Sequence, residues 1–216
     1  MKIMIDFSHY EKELEQAILS TDQIRAELIL NDLNDISTQD FVEKIIVPVM
    51  DSIGDGWEDG SVAISQVYMG AKICESLIAK TNDPNAKFRQ PQLHFAITVL
   101  EDYHLLGKSI IYSVLRGLGY KVDDLGRTNI EELVSKVEQE SIDILLISTL
   151  MLRSALKIKD LRSKLNERGL NIKIVVGGAP FRFDPQLWKE VGADATAVGT
   201  SELAPLLEKL AGGGKE

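Results

Sequence analysis

The residues best suited to chemistry are an imidazole and a carboxylate two positions apart, in Asp102-Tyr103-His104-Leu105-Leu106-Gly107. Imidazole ligates transition metals through one ring nitrogen, and a carboxylate on the other nitrogen fixes its tautomer and direction. Two further signals follow. Ser148-Thr149-Leu150 ends one apolar run, and Gly177-Gly178, before Ala179-Pro180, ends another. Glycines let a main chain approach a ligand closely, although alone this pair could be a simple strand-to-loop turn. A lone histidine after a strand is usually solvated or part of the core, and D-x-H-x-x-G by itself is a weak pattern. Ser148 and Ser154 have no general base beside them in a recognisable motif, so neither is expected to act as a nucleophile and no catalytic residue is assigned.

The chain divides into two textures. Residues 1–85 read as a bundle of four helices. Their apolar stripes are Leu14, Ala17 and Ile18; Ile24, Leu28 and Leu30 to Leu33; Phe41, Ile45, Val49 and Ile53; and Val67, Met69 to Ala71, Cys74, Leu77 and Ile78. Ser20-Thr21-Asp22 and Ser37-Thr38 look like caps, and Pro48 should kink or shift the third helix. The break falls at Thr81-Asn82-Asp83-Pro84-Asn85. Residues 86–211 then alternate short apolar strands with helices. Strands are expected at Leu93 to Leu100, Tyr120 to Leu125, Ile142 to Ser148, Ile172 to Val176 and Ala195 to Val198, with helices near 106–118, 130–140, 153–168, 184–191 and 202–211. Five such units imply an α/β flavodoxin-like (Rossmann-like) five-stranded parallel sheet with right-handed crossovers. Strand order 2-1-3-4-5 would put the ligand crevice between the carboxyl ends of strands 1 and 3. The tail, 212–216, reads as disordered.

The three signals, in order at the ends of strands 1, 3 and 4, together resemble the cobalamin-binding domain of methionine synthase and of the corrinoid proteins of methyltransferase systems. The likeness covers the whole chain, because the helical bundle resembles the cap domain of that family. It implies a bound cobalamin (methylcobalamin or another corrinoid) with His104 as the lower axial cobalt ligand, in place of the cofactor's own base. It also implies that Asp102 orients His104 and that Ser154, six residues after Ser148, completes a proton relay. Gly107, Ser148, Leu150, Gly177 and Gly178 would then border the displaced nucleotide tail, with Gly126 and Thr200 to Ser201 touching it more weakly. One departure is Glu101, where the family usually has glycine.

The segment Gly54 to Gly60, expected between the third and fourth helices, resembles the cap stretch whose aromatic, here Trp57, covers the upper face of cobalt. Light-sensing relatives carry Glu and His ten and eleven residues after that tryptophan, where this chain has Val67 and Tyr68. The resemblance implies a carrier that moves a methyl group between a donor-specific methyltransferase and an acceptor methyltransferase, served by a reductive activator, and that is a poor enzyme alone. The alternative is a regulatory sensor of light or a ligand that signals through the bundle. The cap argues against a mutase small subunit.

Composition narrows the classes. With 216 residues, 44% apolar and 26% charged, the chain is an ordinary globular one. A net charge of −9 argues against nucleic acid. The lone Cys74 reads as a small buried hydrophobe, and no signal peptide or membrane span is recognisable, so the cytoplasm is the expected compartment.

Overall fold

A computed structural model describes residues 6–33, 36–81, 93–197 and 199–212. They form two compact units. One holds the helices up to Thr81 with the short stretches Gly117–Gly119 and Gly199–Ser201; the other holds the sheet and its remaining helices.

In the helical unit, α1 (Phe7–Leu19) buries Leu14, Ala17 and Ile18, as its spacing requires. Helix α2 (Gln23–Asp32) is capped by Asp22, whose side chain accepts the Arg25 N–H. Its inner face differs from the expected stripe. Ala26, Ile29 and Leu33 are buried, whereas Ile24 and Leu28 are exposed. The short apolar-rich helix offers two faces at helical spacing, and the smaller Ala26 side packs inward. Next, α3 (Thr38–Phe41), capped by Ser37, runs through a π-helical turn at Val42–Ile46 into α4 (Val47–Asp59). Pro48 supplies the reason. It has no N–H for the carbonyl four residues back, and the helix absorbs the mismatch as a π turn, with Val47 N–H bonded to Val42 O. The stretch from Gly54, expected between helices, is the last part of α4; Gly60, left-handed at φ +83°, is the true stop. Helix α5 (Ile64–Thr81) completes the unit. It buries Cys74 against Met50, and burial pushes that thiol up to about 12, an inert group. Thr81 ends α5, and the rest of the expected break, 82–85, lies outside the described residues.

The second unit is a five-stranded, all-parallel sheet in the order β2-β1-β3-β4-β5. Its strands are β1 (Phe95–Leu100), β2 (Val122–Thr128), β3 (Ile144–Ser148), β4 (Lys173–Gly177) and β5 (Ala195–Thr196). Between and after them run α6 (Leu106–Gly117), α7 (Ile130–Glu140), α8 (Leu152–Glu167), α9 (Ala179–Phe183), α10 (Leu187–Glu190) and α11 (Leu203–Gly212). Strands buried on both faces are continuously apolar, and every residue of β1 is buried. One core face joins Ala96, Leu100, Leu145, Ile147, Ile174 and Val176 to Leu133, Val137, Ile158 and Leu161 of α7 and α8.

Two elements depart from the sequence reading by more than two residues. Strand β2 runs on to Thr128 through a register shift opposite Ile97 to Val99, because Gly126 at φ +68° keeps the chain in the sheet. The helix expected at 184–191 is shortened to α10, Leu187–Glu190, and a short helix not expected from the sequence, α9, precedes it and ends at the extended Asp184. Val198, assigned to the fifth strand, and residues 213–216 of the tail lie outside the described residues, and Gly212 ends α11.

Candidate functional site

The chain order β1, β2, β3 against the spatial order β2-β1-β3 makes the carboxyl ends of β1 and β3 the switch point of the sheet. Asp102 sits there. Its side chain is 1% exposed and bridges the two loops. Oδ1 accepts the N–H groups of Tyr103 at 2.7 Å and His104 at 3.2 Å; Oδ2 accepts those of Leu150 at 2.9 Å and Met151 at 3.0 Å. His104 Nδ1 stands 2.6 Å from Oδ1. A carboxylate only accepts, so Nδ1 carries the proton, and in the neutral ring the lone pair is on Nε2. Burial would raise the Asp102 pKa, but the bonds from His104, Met151 and Leu150 outweigh it and hold the carboxyl far below the usual range. The imidazole itself is half exposed, at 51%.

The chain reaches this arrangement through a left-handed residue, Glu101, at φ +47°. Its N–H donates to Thr128 O at 2.9 Å, and its carbonyl accepts the Ser154 hydroxyl at 3.1 Å. Ser154, in the first turn of α8, is buried. The hydroxyl expected to continue a relay from Asp102 is therefore bonded to main chain.

Beside this pair lies a narrow, glycine-lined cradle. Ser148 pairs in register with Gly177, and Thr149 N–H donates to Gly177 O at 3.1 Å. A Cβ on Gly107 would lie 2.9 Å from Ser148 Oγ, one on Gly177 3.1 Å from Ala197 O, and one on Gly178 would overlap Thr149 O. Gly178, at φ +110°, also has a backbone that side chains rarely adopt. Among the described residues, Thr149 Oγ1 is buried without a hydrogen-bond partner. Buried hydroxyls are normally satisfied, so this one has an acceptor and donor to offer a water or a ligand atom.

The structure thus brings together Asp102, His104, Gly107, Ser148, Leu150, Ser154, Gly177 and Gly178. Gly126 lies in β2, where its N–H donates to Asp124 Oδ1. Thr200 groups with the helical unit, and its N–H and hydroxyl both donate to Asp51 Oδ1, at 2.8 and 2.7 Å. Trp57 is a half-buried residue of α4 in that same unit.

Several neighbours escaped the sequence reading. Leu105 and Met151 in the loops and Leu152 at the start of α8 are exposed, as is Leu150, which that reading did include. The signal was a run of apolar residues continuing through a loop, where polar residues normally stand. Lys108 is buried and paired with Asp124, and the Arg127 guanidinium lies 3.7 Å over the Tyr103 ring. At the opposite end of the sheet, both ring nitrogens of His94 are engaged. Nδ1 lies 2.8 Å from Glu140 O and Nε2 2.5 Å from Asp123 Oδ2.

Known proteins agree with this architecture. Two family models, each described as a B12 binding domain, match residues 10–80 and 94–207. A corrinoid protein of Desulfitobacterium hafniense is 32% identical over 93% of this chain and 96% of its own length. A dimethylamine corrinoid protein of Methanosarcina acetivorans is 29% identical over 92% and 94%. The solved monomethylamine corrinoid protein of Methanosarcina barkeri superposes with a TM-score of 0.69 at 25% identity, covering 94% of this chain and 99% of that one. No helix among the described residues is long and apolar enough to cross a membrane.

Proposed function

The chain belongs to the family of B12-binding corrinoid proteins, and from that premise we propose that it carries methyl groups on a bound cobalamin, with His104 Nε2 as the lower axial ligand. The observation that carries this reading is the Asp102–His104 pair at the switch point of the sheet. It presents a half-exposed imidazole, held through Nδ1, beside a glycine-lined cradle.

The residues present fit the cofactor. Cobalt accepts imidazole nitrogen readily, and the exposed Leu105, Leu150, Met151 and Leu152 suit the underside of an apolar macrocycle. Gly107, Gly177 and Gly178 leave the width for a nucleotide tail, and Ser148 and Thr149 offer hydroxyls to its polar atoms. Bound cobalamin supplies a metal that takes up and releases a methyl group; the chain supplies orientation and access. Asp102 remains ionised, so it holds the imidazole in the tautomer that ligates and stabilises positive charge on the ring.

The partners in this reading are two methyltransferases, one specific for the donor and one for the acceptor, together with a reductive activator. Small methylated amines are the donor class, because the relatives named above include mono- and dimethylamine corrinoid proteins. The test uses the cobalamin-loaded, reduced chain with isotopically labelled mono- or dimethylamine and a methylamine-specific methyltransferase. Label retained by the chain only when donor and methyltransferase are both present supports the reading. Label absent under every combination would remove the carrier role.

A further inference from the structure

The family resemblance assigns the Ser154 hydroxyl to a relay through the Asp102 carboxylate, but the geometry points to a different task. Both oxygens of Asp102 are taken by main-chain N–H groups and by His104, whereas Ser154 Oγ donates to Glu101 O. Glu101 is the residue that turns the chain from β1 into the Asp-x-His loop, and it does so at φ +47°. A residue with a Cβ enters that region reluctantly and stays only where its surroundings hold it. Here both of its main-chain polar groups are held, the N–H by Thr128 O at the end of β2 and the carbonyl by Ser154 from α8. Residue Glu101 is otherwise exposed.

We infer that Ser154 is a positioning residue that acts on His104 through the left-handed main chain of Glu101, and that positions 101 and 154 are energetically coupled. The inference rests on the cobalamin reading for its readout. Without the hydroxyl, the Glu101 carbonyl loses its donor and the left-handed turn loses one of its two holds, so the turn relaxes and carries Asp102 and His104 with it. Glycine in place of Glu101 adopts the same turn unaided.

The test compares the full-length wild type, S154A, E101G and the double variant E101G/S154A. Each is titrated with hydroxocobalamin and followed by absorption, with circular dichroism as the check on folding. Loss of one such hydrogen bond corresponds to about tenfold weaker binding, and S154A is expected to lose that much and to shift the bound-corrinoid spectrum. In the E101G background the same substitution is expected to cost about twofold or less and to leave the spectrum in place. Equal losses in both backgrounds would overturn the inference, as would an S154A spectrum identical to wild type. If S154A does not fold, E101G must restore folding in the double variant, and failure to do so also overturns it. A wild type that retains no corrinoid would remove the cobalamin reading, and the coupling with it; that outcome is told apart by the silence of the unmutated chain.

Discussion

His104 Nδ1 lies 2.6 Å from Asp102 Oδ1, and the same carboxylate collects four main-chain N–H groups from the loops that follow β1 and β3. One buried side chain therefore closes the junction of two loops and aims the ring that faces out of it. Replacing Asp102 by alanine leaves several donors without an acceptor. The expected loss is about 2–4 kcal/mol of folding stability, measured as the shift in urea midpoint. The pH dependence has a definite sign. The folded-state pKa lies below the unfolded value, so the stabilisation is present above about pH 3.9 and is lost as pH falls through the folded-state pKa. The alanine variant should lack that part of the acid limb.

The glycines of the cradle should separate into two kinds. A methyl group on Gly178 meets Thr149 O, an immovable main-chain atom, at a backbone angle that itself disfavours side chains. Gly178→Ala should cost about 3 kcal/mol and corrinoid binding as well. Gly107 faces only the Ser148 hydroxyl, which can rotate away. Gly107→Ala should change stability by about 1 kcal/mol or less while weakening corrinoid binding by filling the slot. Denaturation and cofactor titration of the two variants check the contrast. Equal stability losses would refute it.

His94 latches the entry of β1 to Asp123 on β2 and to the end of α7. Burial pulls its pKa down, but the Asp123 carboxylate and the Glu140 carbonyl outweigh burial, and the net shift is upward. This stabilisation is full below the unfolded value of about 6.5 and disappears as pH rises through the higher folded-state value. His94→Gln should flatten the fall in urea midpoint across that window. A wild type whose midpoint does not fall there would contradict the latch.

Much of this architecture was legible in the residues because burial on both faces writes parallel strands as plain apolar runs, such as Phe95–Leu100 and Ile144–Ser148. The candidate site was legible through Asp102, His104 and the paired glycines, residue types whose chemistry suits the tasks proposed for them. What escaped depended on tertiary partners. Helix α2 could bury either of two faces, and only packing chooses Ala26 over Ile24. The run from Gly54 to Asp59 looks like a loop in composition yet continues α4, because Gly60 is the residue able to end it left-handed. Ser154 was assigned to the candidate site, but which oxygen its hydroxyl meets follows from the turn at Glu101, and the type of that residue does not announce the turn.

The central claim is that His104 ligates the metal of a bound corrinoid. It is tested most directly by the ultraviolet–visible spectrum of the purified chain reconstituted with hydroxocobalamin, set beside His104→Ala. One corrinoid per wild-type chain is expected, with a spectrum that changes when the imidazole is removed. Indistinguishable spectra for wild type and variant at full occupancy would contradict ligation by His104.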